Sequence, residues 1–554
     1  MSNHKLAWLG AAACLALAVS DCTAGHGPVL HDGAPVAGAA SHVVSLDQGW
    51  SEAEQKFFRY GWQGSRILPY DWFLALEQTA NGQTWAFASR ESLGRFRFLL
   101  SQPASGNPDG LPVGFARDRD RKTGQSWVGW SCAACHTGQI EYKGTTLRID
   151  GGPMIADLTT FQYELVRTMR QTNADGGKFD RFAHEVLGGG YDKASAEALR
   201  RDLIVQTDAL TKRFTVDTPP HPYGNGRLDA FGAISNQVLG TDLKEPANYQ
   251  LADAPVSVPF LWDTPYLDRV QWNGIAPNVG SGPLARDLGE ILGVFGTLEI
   301  KAGQTRYQSS ANLPSLRKLE ETLKHLRSPQ WPRRYLPAID TVKAERGGAL
   351  YRQHCSGCHA LIPRAHPQPV NVVMTPLPEI GTDPRMAHNA AVRTAKSGIL
   401  QGSKAYVLTG EPLGATAPAT DLVHHVIVGA MLAQPLKSAA ATVEDFENVR
   451  FQLPKAREAY KAGPLGGIWA TAPYLHNGSV PNLWQLLQPE DQRIKSFYIG
   501  LTFDPVNVGF DTAPSAGSFE LDTTLPGNSN AGHTYGTKLT DAEKWDLIEF
   551  LKSI

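Results

Sequence analysis

Apolar and polar positions change period several times along the chain, and each change predicts an element. An apolar run from Leu6 to Val19 follows His4 and Lys5. It is short for a bilayer span and has the shape of a secretory h-region. From about Ser51 the chain becomes aromatic, with Phe57, Phe58, Tyr60 and Trp62. Ile140 and Tyr142 alternate with polar neighbours between Gly138 and Gly144, which predicts a turn and small hairpin. Asp150-Gly151-Gly152-Pro153 reads as a loop. Residues 155–172 and 192–213 read as helices, and in the second Ala196, Leu199, Leu203 and Leu210 share a face. Asp340 or Thr341 caps a further helix through Ala349, Leu350 and Tyr351. Thr540-Asp541-Ala542-Glu543 is a capping box opening a last helix, with Trp545, Ile548 and Leu551 on one face.

Composition adds bounds. The 554 residues are 42% hydrophobic and 19% charged, ordinary for a globular chain that can hold two or three domains. With 54 glycines and 37 prolines, long ordered loops are expected. A net charge of −2 gives no electrostatic footprint for nucleic acid. The mixed-sign run from Arg117 to Lys122 reads as a solvated loop. Pro, Arg and Trp from Pro329 to Pro337 mark a linker. No segment after the leader has a transmembrane pattern, so the chain reads as not transmembrane.

The chemistry lies in the cysteines. Cys132-Ala133-Ala134-Cys135-His136 and Cys355-Ser356-Gly357-Cys358-His359 both read C-x-x-C-H, the attachment signature of c-type haem. Two thiols add across the haem vinyl groups, and the histidine gives the iron its proximal nitrogen. A redox pair or half a zinc site is the competing reading of one such motif. Two full matches in a chain of six cysteines favour two covalent haems. The other two cysteines lie in or beside the leader, so no disulfide is needed. Bacteria attach c-type haem outside the cytoplasmic membrane, so a periplasmic or secreted protein is expected. A signal is placed at residues 1–24 and a loose leader at 25–45, with a lipoprotein as the alternative through Cys22.

Further motifs carry a family resemblance. The paired haem motifs, Val258-Pro259-Phe260-Leu261, Trp272-Asn273-Gly274, Thr471-Ala472-Pro473-Tyr474-Leu475-His476-Asn477-Gly478-Ser479 and Gly532-His533-Thr534-Tyr535-Gly536 together resemble the bacterial dihaem cytochrome c peroxidase superfamily. The larger branch, with the rubber oxygenases and dihaem fatty-acid dioxygenases, is the nearer likeness. The resemblance implies a mainly α fold of two cytochrome c-like haem domains, with long loops and small β-hairpins. Haem 1 would occupy residues 46–335 and haem 2 residues 336–554. It implies His136 and His359 as proximal ligands of the haem irons. His533 would be the distal ligand of haem 2, with His476 as runner-up, where peroxidases often use methionine. Met386 and Met431 read as core residues. Trp272 would relay electrons between the haems, and Glu290 would stand near the distal side of haem 1 and move protons. Calcium would sit between the domains on the carbonyls of Thr471 and Pro473, although Ser257 stands where the relatives use asparagine.

Three functions follow from these implications. The first is peroxide reduction at haem 1, with electrons from a small redox-protein donor passing through haem 2. The second is a dioxygenase acting on an unsaturated lipid, an isoprenoid or another apolar organic substrate. The third is a dihaem electron carrier. Arg227, Asp229 and Phe231 are candidates for a pocket wall or a propionate contact.

Overall fold

A computed structural model describes residues 42–80, 82–120, 122–434 and 456–554. The signal region, Cys22 and most of the leader lie outside the described residues. Two three-stranded sheets shape the first third of the chain. Leu68–Pro69 and Phe115–Arg119 flank the central strand Ser126–Trp130, and all pairs are antiparallel. His42–Ser45 runs parallel to Thr145–Asp150, which pairs antiparallel with Thr137–Tyr142. The hairpin foreseen at Ile140 is this last pair. The charge run predicted to be a loop enters a strand, Phe115–Arg119, because Phe115 and Ala116 point into the core.

The helices agree closely with their apolar period. Leu158–Ala174 is capped by Asp157, and Lys193–Val216 by Asp192. Ala196, Leu199, Leu203 and Leu210 are all buried on the second. Asp340 caps Thr341–His354 through the amides of Val342 and Lys343. Thr540 and Glu543 form the reciprocal capping box of Asp541–Ser553. These last two helices cross at Gly347. Arg346 grips Asp546 with two bonds of 2.7 Å, and Tyr351 packs on Phe550 at 5.1 Å.

The mainly α expectation is corrected. The described residues are 38% helix and 17% strand, spread over many small sheets. Nor does it show two cytochrome c-like domains. One hydrophobic core joins Phe58, Leu147 and Trp262 to Trp469, Phe503 and Leu547, so apolar residues from both halves are buried together. The segment 329–337, read as a linker, contributes Trp331 and Leu336 to that core, and the Trp331 indole donates to the carbonyl of Pro337 at 2.8 Å. The physical reason is that most strands are two to six residues long. Pairs that short are fixed by tertiary packing and carry little period of their own. No helix among the described residues is long and apolar enough to cross a membrane.

Candidate haem sites

The first motif lies between the two sheets. Strand Ser126–Trp130 leads into a 3-10 turn, Cys132–Ala134, and Thr137–Tyr142 leads out. Gln63 receives the Cys132 amide at 2.9 Å, and the His136 amide closes on the Cys132 carbonyl at 2.8 Å. Both cysteines are half-buried and form no disulfide. The His136 Nδ1 lies 2.9 Å from the carbonyl of Pro259. A carbonyl only accepts, so Nδ1 carries the proton and Nε2 keeps its lone pair for a metal. Burial drives this imidazole down to about 4, which keeps it neutral, as ligation requires.

The segment holding His136 also orients Trp272. The Ser257 carbonyl accepts the Trp272 indole at 2.7 Å, two residues before the carbonyl that takes His136. A cavity of about 590 Å³ opens here. Cys132, Cys135, His136, Trp272 and Glu290 all line it, so the candidates of the first site stand together. Glu290 comes from helix Gly282–Gly293, and its carboxylate accepts from Gln271 at 2.7 Å. Burial pushes this carboxyl up. Arg286, on the same helix, is held by Asn278, Asp287 and Glu320. The nearby carboxylates hold its guanidinium above the usual range.

The far wall is aliphatic. Val423, Ile427, Val428, Met431 and Leu432 from helix Ala419–Leu432 face the cavity at helical spacing, with His424 among them. Gly289 leaves room for this wall, since a Cβ there would stand 2.8 Å from Ile427 Cδ1. Met386 is buried and Met431 half-buried, and both line this cavity.

At the second motif, helix Thr341–His354 runs directly into Cys355. The His359 Nδ1 lies 2.7 Å from the Gly463 carbonyl, which again leaves Nε2 free. The ring facing it is His533, with centroids 6.1 Å apart. Two metal–imidazole bonds of about 2 Å plus two ring radii of about 1.1 Å come to roughly 6 Å, so an iron fits between them. His533 is held from behind. Buried Arg493 donates to the carbonyls of Asn530, Gly532 and His533. Gly532 (φ +73°) stands so close to the backbone of Gly381 and Thr382 that no Cβ would fit. Burial and the neighbouring His359 push His533 down to about 3.

The remaining candidates have other partners. His476 stacks on Tyr460 at 4.0 Å, and its carbonyl receives the Ser257 amide. Arg227 is buried and bonds Asn477, Tyr223 and Asn528. Asp229 caps Gly232 and also receives the Ala254 amide, while Phe231 lines the cavity. Thr471 donates to the Ile468 carbonyl at 2.9 Å. No group of three or more His, Cys, Asp or Glu gathers for a metal ion among the described residues. Sequence reading missed Gln271, His424 and Lys461, all of which line the first cavity. The helical stripe through Thr420, Val423, Ile427 and Met431 was the signal available for His424.

Paired thiols followed by a neutral, carbonyl-anchored imidazole are what a c-type haem requires, and both motifs present them. Residues 459–498 match the family model described as RoxA-like, cytochrome c-like. That stretch includes Thr471–Ser479 and the carbonyl holding His359. A cytochrome c-like domain implies c-type haem, so this is a haem-containing redox protein. The chain is also similar to "Uncharacterized protein y4iJ" of Sinorhizobium fredii, 34% identical over a 575-residue alignment covering 92% of this chain and 93% of that protein. It therefore belongs to the same family as that protein. A second relative from the same organism, "Uncharacterized protein y4iM", is 27% identical over 245 residues, covering 40% of this chain and 51% of the other.

Proposed function

We propose that the protein is an exported c-type dihaem oxidoreductase that uses dioxygen to oxygenate an apolar, unsaturated substrate at the Cys132–Cys135–His136 haem. The carrying observation is the aliphatic wall of Val423, Ile427, Val428, Met431 and Leu432, in the same cavity as His136. An apolar chain desolvates there at a gain of about 25 cal/mol per Å² buried. Activating dioxygen or peroxide and passing single electrons is the chemistry haem supplies when bound. His136 would hold the iron through its Nε2, and the wall would keep water out. Glu290, whose carboxyl burial pushes up, is fixed by Gln271 at the cavity wall, where it could hand on a proton.

Cys355, Cys358 and His359 would hold a second haem, with His533 as the other imidazole at that site. With both imidazoles engaged, that haem would serve as an electron store. Trp272, fixed by Ser257, belongs to the route between the two. Peroxide reduction is the second reading, favoured by the Glu290–Gln271 pair, because a positioned carboxyl moves a proton between peroxide oxygens. The test is oxygen uptake by purified protein with an unsaturated lipid or isoprenoid and no external reductant. Donor oxidation matched to peroxide consumption, without oxygen uptake, favours the second reading instead.

A further inference from the structure

Lys461 belongs to neither role above. It sits in strand Ala459–Ala462, and its amide donates to the Trp272 carbonyl at 2.7 Å. Two residues on, the Gly463 carbonyl holds His359. The Lys461 side chain lines the cavity of the first motif. The carboxylates around it are engaged elsewhere. Glu290 takes Gln271, while Asp287 and Glu320 take Arg286. Asp268 takes the Val372 amide and pairs with Arg269. None of the described ion pairs includes Lys461. An ammonium left in an aliphatic cavity needs an anion, because an unpaired buried charge is costly. Burial and the nearby Arg286 push this amine down to about 8 against the opposing pull of Asp268, so its surroundings disfavour the charge.

We propose that Lys461 is an anion site whose ammonium binds a carboxylate within the cavity, either a haem propionate or the head group of an acidic apolar substrate. The inference rests on haem being attached at Cys132 and Cys135. Both sources present the same planar, singly charged oxygen pair. With the propionate, Lys461 neutralises charge beside the iron and favours its reduced form. With a substrate acid, Lys461 anchors one end of the chain while the aliphatic wall takes the rest.

The test uses full-length protein carrying Lys461→Met, Lys461→Gln or Lys461→Arg. Haem content is measured first by pyridine haemochrome. Wild-type protein lacking haem at the first motif would overturn the underlying haem reading, independently of Lys461. With haem present, the potential of haem 1 and its propionate modes in resonance Raman are recorded without lipid. The propionate source predicts a lower haem 1 potential and shifted propionate modes in the Met and Gln variants, both restored by Arg. The substrate source predicts no change in either. Instead it predicts at least a tenfold loss in affinity for oleate, none for methyl oleate, and recovery with Arg. Met and Gln variants matching wild type in potential, Raman modes and oleate affinity overturn the proposal.

Discussion

Gly347→Ala tests the packing that places the second haem motif. In an isolated helix this change stabilises by about 1 kcal/mol, since alanine has the better propensity. Here the new Cβ would lie 2.5 Å from the Asp546 carbonyl carbon, 2.9 Å from Phe550 Cβ, and closer still to the Asp546 oxygen. The first obstacle is backbone, so relief requires moving helix Asp541–Ser553 away from Thr341–His354. Overpacking of this kind costs about 1–3 kcal/mol, with a backbone collision toward the upper end. The propensity gain offsets part of that, leaving a net loss of about 1–2 kcal/mol. The Arg346–Asp546 bond adds little, because Arg346 is 55% exposed. Gly348→Ala is the control. Its Cβ would meet the Phe550 ring edge at 3.2 Å and Arg352 Nη1 at 3.7 Å, both side-chain atoms that can shift. Urea unfolding of both variants, followed by circular dichroism and by the haem 2 Soret band, provides the assay. The expected order is Gly348→Ala near or above wild type and Gly347→Ala clearly below. Gly347→Ala as stable as wild type would refute the close crossing.

Other consequences concern the sites and pH. His533→Gly should convert the haem 2 spectrum from six- to five-coordinate while sparing haem 1; an unchanged spectrum would remove His533 as a ligand. Glu290→Gln should keep the haem content and slow peroxide-dependent donor oxidation about a hundredfold, and an unaltered rate takes Glu290 out of that reaction. Burial raises the Asp263 carboxyl to about 7, against roughly 3.9 in the unfolded chain. The unfolded state therefore ionises first, and the stability present below pH ~4 is lost as pH rises toward ~7. Asp263 has φ +65°, a conformation asparagine tolerates. Asp263→Asn should thus flatten this decline and gain about 1–3 kcal/mol at pH 8 relative to pH 4.5. Parallel urea midpoints for both proteins at the two pH values would count against it.

What could be read in advance follows from the range of the forces involved. Lys193–Val216, Thr341–His354 and Asp541–Ser553 were legible because caps and apolar spacing are local signals. The haem motifs were legible because attachment needs two thiols and an imidazole within five residues. The fold class was not. The pairing of His42–Ser45 with Thr145–Asp150, and the burial of Phe58 with Leu547, depend on contacts between distant segments. The same holds for the first cavity. Lys461 and Gln271 reach it from separate short segments, and nothing in their neighbours marks them. His533 is singled out by its motif, whereas its 6.1 Å spacing from His359 and the clamp by Arg493 are tertiary facts.

On the proposed function, the haem at Cys132–His136 would face an apolar substrate chamber and work on dioxygen. Oxygen consumption by the pure dihaem protein with an unsaturated lipid or isoprenoid, and without reductant or peroxide, tests this most directly. Oxygen uptake matched to oxygenated product is expected, as is its loss when Ile427→Trp fills the aliphatic wall while haem content is kept. No oxygen uptake on any such substrate, with peroxide-driven donor oxidation intact, would contradict it.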